Sequence, residues 1–287
     1  MTWTLVLGGG AARGLAHIGV LKALEEAGLR PSRVVGTSMG AMVGALYAAG
    51  LSARDLERRA LSLKPLDLLQ RFVVLPRLEG LLDSRRLEDL LREWSPVERL
   101  EECRVPVAVT AVAVERAEEW VITQGDLPRA VRASAAIPGI FTPVPVGGVH
   151  LVDGGVLDPV PVRAARTLDP GPMVAVNVLG RPRRAPSLRP MPATQETLDR
   201  RFALLRRFRP AEGRRVVALS LMLDALLVMQ QGMIEEAMRL YPPAVLLEPE
   251  LPGLRGYDFH RAAEAIEAGY RAARARLQDL ERLALGA

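Results

Sequence analysis

The sequence predicts a three-layer α/β/α fold built around a mainly parallel central sheet. Three observations lead to this fold class: short apolar segments alternate with helical segments, a Gly-rich turn follows the first apolar segment, and residues 105–114 are apolar, rich in β-branched residues and free of charge. Strands that alternate with helices form parallel sheets, and a strand covered on both faces is apolar along its whole length. We therefore expect helices on both faces of the sheet.

Each element follows from a local pattern. Helices are predicted where apolar residues recur every three or four positions, and strands where short apolar runs end at a turn. In chain order, the predicted elements are a strand at 2–7, a helix at 12–27, a strand at 33–36, a helix at 39–49, helices beginning at 52 and at 83 or 84, a strand at 105–114, a strand or hairpin at 119–123, a helix at 127–136, a strand at 149–152, a helix at 162–168, a strand at 173–179, a helix at 216–240, a strand at 244–247 and a final helix from 259 to about 283.

Composition excludes several classes of protein. The chain has 287 residues, of which 49% are apolar and 25% charged, a balance that excludes a disordered chain, a collagen and a small disulfide scaffold. The single cysteine, Cys103, excludes an intramolecular disulfide and a cysteine zinc cluster. No basic region precedes Arg13, so we expect no signal peptide and a cytoplasmic protein. The uncharged stretch 34–51 is interpreted as a strand, a turn and a helix rather than a membrane span, because four glycines interrupt it.

We expect a single domain over residues 1–287, with its core at about 5–170, a basic Pro- and Arg-rich excursion at 181–215 and a helical part at 216–287. The excursion carries eleven arginines and three acids, whereas the rest of the chain is net acidic. Its apolar residues near 198–208 fall on one helical face, which leaves two interpretations: peripheral contact with an anionic membrane at the inner face, or packing on the protein's own core. Packing is the simpler interpretation, and a nucleic-acid partner is not indicated.

The first motif with chemical meaning is Gly36-Thr37-Ser38-Met39-Gly40, a G-x-S-x-G pentapeptide between a predicted strand and a predicted helix. A tight strand-to-helix turn of this kind projects a serine hydroxyl from the sheet, and the flanking glycines permit the close backbone approach that the turn requires. Ser38 is therefore the candidate nucleophile. The alternative is a Gly-rich turn in which the serine caps a helix.

The second motif is the loop Gly8-Gly9-Gly10-Ala11, followed by Arg13. Glycines at a strand end expose backbone amides, and the helix that follows adds positive potential, so the loop can bind a phosphate or stabilise an oxyanion. Dinucleotide binding is the competing interpretation. Its glycine pattern fails, because Arg13 stands where the third glycine should be and the second strand ends in Thr37 and Ser38 rather than an acid.

A conventional serine hydrolase would need a histidine, and the chain has only His17, His150 and His260. His17 lies in the first helix and is expected to be a packed helix residue. His260 follows the other candidate residues in chain order, so a triad that uses it stays open, although its surroundings predict a helix start.

Four motifs in order resemble the patatin-like phospholipase family, and the similarity covers most of the chain. They are 8–24 with the pair Arg13-Gly14, the pentapeptide 36–40, Ala133-Ser134-Ala135-Ala136-Ile137-Pro138-Gly139, and Leu151-Val152-Asp153-Gly154-Gly155. The resemblance implies a modified α/β-hydrolase-like fold and lipid acyl hydrolase activity on a lipid ester or phospholipid, without metal or cofactor. It also implies a catalytic dyad of Ser38 and Asp153 without histidine, and an oxyanion hole from Gly8, Gly9, Gly10, Ala11 and Arg13, supported by Gly36, Gly40, Gly154 and Gly155.

The chain departs from the family pattern in two places. Ala11 stands where many members carry a fourth glycine, and Asp158-Pro159 stands where an asparagine pair often follows the Asp-Gly-Gly turn. Asp153 alone could simply form that turn. A Rossmann-like nucleotide-binding protein and a catalytically silent lipid-binding protein are the alternative functions. The sequence does not indicate the head group, the acyl chain length or the oligomeric state.

Overall fold

The computed structural model describes residues 2–63, 73–77, 80–82, 84–179 and 211–286. The predicted basic excursion at 181–215 lies outside the described residues up to 210, and so does the amphipathic stretch near 198–208. Its last five residues begin the helix Ala211–Leu240, which therefore starts five residues earlier than predicted.

The centre of the protein is a mainly parallel sheet, which confirms the predicted fold class. Its strands lie in the order β10-β9-β1-β2-β5-β8-β7, and β6 pairs with the free edge of β5. The neighbours from β10 to β5 are parallel, whereas β6, β7 and β8 pair antiparallel. The strands are β1 (Thr4–Leu7), β2 (Arg33–Thr37), β3 (Val73–Arg77), β4 (Gly80–Leu82), β5 (Val107–Ala113), β6 (Glu118–Ile122), β7 (Val144–Val146), β8 (Val149–Asp153), β9 (Met173–Val176) and β10 (Val245–Leu247). The β3–β4 hairpin and β7 were not predicted.

Helices cover both faces of this sheet. They are α1 (Ala16–Glu26), α2 (Met39–Ala48), α3 (Ala53–Ser62), α4 (Arg85–Trp94), α5 (Leu127–Ser134), α6 (Val162–Leu168), α7 (Ala211–Leu240), α8 (Ala262–Ala275) and α9 (Leu277–Leu285). Two predicted helices differ in detail. The first begins as a 3-10 helix over Ala11–Leu15, and the final one is interrupted at Arg276. The predicted capping box of Ser52 and Asp55 is present at the start of α3.

Alternate residues of each strand enter two different cores, which gives the three layers. Leu5 and Leu7 belong to the larger core under α1, α2, α3 and α8, whereas Val6 belongs to the core under α6 and α7. Side chains of a strand point to opposite faces in turn, so a strand that is buried at every position lies between two layers. The α1–α8 contact is close, because a Cβ atom at Gly19 would lie 1.8 Å from the Ile266 carbonyl oxygen.

The uncharged stretch 34–51 forms β2, a turn and α2, as predicted. Among the residues that the structure describes, no helix is both long and apolar enough to cross a bilayer.

The strand pairing brings two distant chain segments to one point. On β5, β6 occupies one edge from 109 to 113, so β2 and β8 must share the other edge. Thr37 at the end of β2 pairs with Thr110, and Asp153 at the end of β8 pairs with Ala111. Because β2 runs parallel to β5 and β8 runs antiparallel, their carboxyl ends meet beside adjacent residues of β5. Ser38, which directly follows Thr37, therefore lies next to Asp153.

Candidate active site

Ser38 occupies a sharp turn between β2 and α2. Its backbone has φ 54° and ψ −121°, a conformation that L-residues rarely adopt, and the residue is 6% exposed. Such a conformation costs about 1–3 kcal/mol and persists only where the surroundings enforce it. The flanking glycines are required by close packing: a Cβ atom at Gly36 would lie 2.6 Å from the Ala41 backbone, and one at Gly40 would lie 2.1 Å from the Leu7 carbonyl oxygen. The pentapeptide is therefore a strained elbow that only this glycine pattern permits.

The Asp153 carboxyl group lies beside the Ser38 hydroxyl and is buried. The Ser38 hydroxyl lies close enough to Asp153 to lower the pKa of this carboxyl group, and the Gly155 amide donates a hydrogen bond to Asp153 Oδ1 at 2.7 Å. Burial raises the pKa of Asp153 from its ordinary value of 3.8 to about 6, and the interactions with Ser38 and Gly155 oppose this shift because they favour the carboxylate. Gly154 packs so tightly that a Cβ atom would lie 2.3 Å from Thr110 Oγ1. The Asp-Gly-Gly turn thus brings a carboxylate of increased basicity to the serine.

The Gly-rich loop lies against the elbow on the other side. A Cβ atom at Gly9 would lie 3.3 Å from the Ser38 Cβ atom, so the loop backbone contacts the serine directly. Two of its amides are already used: Gly8 donates to the Val176 carbonyl at 3.1 Å and Gly9 to the Pro159 carbonyl at 2.8 Å. Within the described residues, no oxygen accepts a hydrogen bond from the amides of Gly10 and Ala11. Of the amides in the predicted oxyanion loop, those of Gly10 and Ala11 are therefore the ones without an acceptor in the described part of the chain.

Two residues after the glycines explain how the loop is held. Ala11 has φ 48°, a left-handed conformation that glycine adopts more easily, so this departure from the family pattern places strain in the loop. Arg13 is half-buried, and its Nε donates to the Leu254 carbonyl at 2.9 Å. Burial lowers the pKa of Arg13, and the Asp258 carboxylate opposes that shift. Arg13 thus anchors the loop and places a positive charge close to it.

None of the three histidines hydrogen-bonds to Ser38 or Asp153. His17 is fully buried, as predicted, and its Nε2 donates to the Gly8 carbonyl at 2.7 Å. Burial lowers the pKa of His17 to about 4, so the ring is neutral and braces the Gly-rich loop. His150 is exposed and binds Glu115 through Nδ1 at 2.6 Å. His260 is exposed in the 3-10 helix Phe259–Arg261, so the geometry gives no support to a triad.

Sequence reasoning missed three contacts that hold the elbow. Ser134, at the end of α5, accepts a hydrogen bond from the Ser38 amide through Oγ at 2.8 Å. Thr37 Oγ1 lies 2.7 Å from Thr110 Oγ1 and donates to the Asp158 carbonyl at 2.9 Å. Ser134 lies inside one of the four motifs, but nothing in that motif states which backbone group its hydroxyl binds. These contacts join four separate chain segments around Ser38.

The described part of the chain contains no group of three or more His, Cys, Asp or Glu side chains placed to hold a metal ion. The groups that the structure places around Ser38 are its own hydroxyl, the Asp153 carboxyl group and the backbone amides of the Gly-rich loop.

Comparison with known proteins identifies the family. The model of the patatin-like phospholipase family matches residues 5–166, more than half of the 287-residue chain. An uncharacterized NTE family protein of Mycobacterium bovis is 35% identical over 176 residues, which cover 61% of this chain and 49% of that protein. Lysophospholipase NTE1 of Pyricularia oryzae is 28% identical over 286 residues, 93% of this chain and 18% of that protein. The chain thus spans about half the length of the first relative and less of the second.

Among solved structures, VipD from Legionella pneumophila aligns with 98% of this chain and 67% of its own, at 15% sequence identity and a TM-score of 0.48. The family-model match confirms the resemblance seen in the four sequence motifs, and it includes the Gly-rich loop, the elbow and the Asp-Gly-Gly turn. The chain belongs to the patatin-like phospholipase family.

Proposed function

We propose that this protein is a serine acyl hydrolase that cleaves the carboxylic ester bonds of lipids through Ser38 and Asp153. The observation that carries the proposal is that a buried serine on a strained elbow lies beside a buried aspartate whose pKa is raised to about 6. A base is most effective when its pKa lies close to the working pH, and an aspartate at its ordinary value of 3.8 would be a poor base at neutral pH. Burial supplies the basicity that histidine provides in a triad.

The first half of the reaction forms an acyl-enzyme. Asp153 accepts the Ser38 proton while Ser38 Oγ attacks the ester carbonyl carbon, and a tetrahedral intermediate with a negative oxygen results. When the intermediate collapses, the carbon–oxygen bond to the alcohol breaks and Asp153 returns the proton to the departing alcohol. The acyl group remains esterified to Ser38.

Backbone amides around the elbow stabilise the negative oxygen in this scheme. Gly10 and Ala11 have amides without an acceptor among the described residues, and they follow Gly9, which contacts Ser38. The Met39 amide lies in the first turn of α2, where amides lack intrahelical acceptors and carry partial positive charge. Donors that are fixed before the reaction stabilise an oxyanion without a cost of reorganisation.

The second half of the reaction regenerates the enzyme. Water donates a proton to Asp153 and attacks the acyl carbon, the same amides stabilise the second tetrahedral intermediate, and its collapse releases the fatty acid as the proton returns to Ser38.

The surroundings of the site support a lipid substrate. Gln230 of α7 donates to the Gly155 carbonyl at 2.9 Å, so this helix reaches the turn that carries Asp153. The same helix exposes large apolar side chains, namely Leu221, Met222, Val228 and Met229. Exposed apolar side chains on a helix that contacts the Asp153 turn suit an acyl chain. The family membership and the name of the lysophospholipase relative support the same substrate class.

Hydrolysis assays test this function directly. We expect the purified protein to release fatty acid from a lysophospholipid and p-nitrophenol from a p-nitrophenyl acyl ester, with turnover that survives a metal chelator. Turnover that is absent on both substrates while the protein is folded and binds lipid would overturn the proposal in favour of a silent lipid-binding protein.

The Gly-rich loop provides a second test. Gly9→Val should lower kcat by about 10²-fold or more, because its side chain would collide with Ser38 and displace the Gly10 and Ala11 amides. Gly232→Val is the matched control, since a Cβ atom at Gly232 meets no atom of the described residues within 4 Å. Steady-state kinetics on the soluble ester, beside melting curves, measure both variants. Near-normal kcat in a folded Gly9→Val variant would show that the loop has a purely structural role.

A further inference from the structure

A pair of buried carboxyl groups lies behind the site, and the reaction described above does not use it. Glu119 belongs to β6, and Asp158 lies between the Asp-Gly-Gly turn and α6. The two carboxyl groups lie close enough for Glu119 to raise the pKa of Asp158, and neither carboxylate has a hydrogen to donate unless it is protonated. Glu119 Oε1 and Asp158 Oδ2 are both buried, and neither has a donor within the described residues. A single proton shared between these two oxygens satisfies both.

The groups around the pair can balance the negative charge of one carboxylate but not of two. Arg163, on the first turn of α6, donates to Glu119 Oε2 at 2.7 Å, and its charge also acts on Asp158. Tyr241, directly after α7, lies near Arg163, and the Ala164 amide favours the charged form of Asp158. Burial and the adjacent Glu119 raise the pKa of Asp158 to about 8, against the effects of Arg163 and Ala164. One cation therefore faces a carboxylate and a carboxylic acid at neutral pH.

The backbone next to this pair holds three parts of the site. The Asp158 carbonyl accepts the Thr37 hydroxyl at 2.9 Å, directly before Ser38. The Pro159 carbonyl accepts the Gly9 amide at 2.8 Å, and the Asp158 amide donates to the Gly154 carbonyl at 2.9 Å. Residues 158–159 thus bind the elbow, the Gly-rich loop and the Asp-Gly-Gly turn at once.

We propose that Asp158 is a positioning residue: the proton that it shares with Glu119 fixes the 158–159 backbone, and this backbone aligns Ser38, the Gly-rich loop and Asp153. Loss of that proton leaves two buried carboxylates in contact, with Arg163 as their only cationic partner in the described residues. Their repulsion then displaces the segment from the site. The inference rests on the proposed hydrolase function for its kinetic consequence, whereas its effect on stability does not.

The direction of the pH effect follows from the pKa difference between the folded and unfolded chain. Unfolded Asp158 titrates near its ordinary value of 3.8, whereas folded Asp158 keeps its proton until about pH 8. The folded state binds more protons than the unfolded state between these two values, so the free energy of unfolding falls as the pH rises through this window. Activity should fall on the alkaline side, at about pH 8, when the folded pair loses its proton.

Amide substitutions separate this proposal from a merely structural role. In Asp158→Asn, the side-chain amide can donate permanently to Glu119, so the variant should stay active within a few-fold at neutral pH and lose the alkaline fall in kcat/KM. Its melting temperature, relative to that of the wild type, should rise as the pH is raised from about 4 to about 8. Glu119→Gln should act in the same way if Asp158→Asn fails to fold. Asp89→Asn, at an exposed position on α4, is the matched control and should change neither property.

The measurement is kcat/KM on the soluble ester across the pH range, together with melting curves of the same proteins. An alkaline fall that is unchanged in both amide variants, or an equal loss of activity at every pH, would overturn the proposal. If the wild type shows no hydrolysis, the proposed function fails on its own, and the pH dependence of the difference in melting temperature still decides whether the pair shares a proton.

Discussion

Replacing Ser38 with alanine should reduce ester hydrolysis to the uncatalysed background. Loss of a catalytic serine in a comparable enzyme lowers kcat by about 10⁶-fold, because the remaining groups have no nucleophile to assist. The melting temperature should stay nearly unchanged, since the substitution removes one oxygen and preserves the Cβ atom and the glycines around it. Assays with both the soluble ester and the lysophospholipid, beside melting curves, measure the effect.

Ser62→Ala is the matched control for this variant, because Ser62 is exposed at the end of α3 and its hydroxyl donates to the Arg59 carbonyl of its own helix. We expect its kinetics to equal those of the wild type. Substantial hydrolysis by a folded Ser38→Ala protein would show that another group attacks the ester.

Asp153→Asn should remove most of the activity, although it leaves more than the loss of the serine does. The amide keeps the shape of the side chain but cannot accept the Ser38 proton, and a comparable Asp→Asn change in a serine protease lowers kcat by about 10⁴-fold. The variant should not be less stable at neutral pH. Because the pKa of Asp153 is raised from 3.8 to about 6, the free energy of unfolding of the wild type falls as the pH rises through this range, and the amide avoids that loss.

The pH profile of the wild type and the activity of histidine variants also test whether Asp153 is the base. Wild-type kcat/KM should fall as the pH drops below about 6, where Asp153 becomes protonated and can no longer act as a base. His150→Gln and His260→Gln, which change exposed residues, should each keep substantial activity. A folded His260→Gln protein without activity would instead support a Ser–His–Asp triad.

The local parts of this site could be predicted from sequence because they depend on close-range sterics. The glycines at 36 and 40 indicate an elbow wherever they flank a serine between a strand and a helix, and the backbone distances at both positions explain why no larger residue fits. The Asp-Gly-Gly turn is similar, since Gly154 packs on Thr110 and the Gly155 amide donates to Asp153. Family resemblance was needed to pair Asp153 with Ser38.

The long-range parts could not be predicted from sequence patterns. Ser38 and Asp153 meet because β2 and β8 end beside adjacent residues of β5, and no periodicity states which strands share an edge. The same holds for the contact of the Ser134 hydroxyl with the Ser38 amide and for the Glu119–Asp158 pair, whose members are separated in sequence and join only when β6 and α6 are packed. The β3–β4 hairpin was missed because its segment carries charges and a proline within a short apolar run.

Covalent labelling tests the central claim, that Ser38 is the nucleophile, most directly. A fluorophosphonate probe reacts with activated serines, and the labelled peptide can be identified by mass spectrometry. Of the nine serines in the chain, Ser38 alone should carry the label, and Ser38→Ala should remove it. A label on any other serine, or full hydrolytic activity in a protein whose Ser38 is never labelled, would contradict the account.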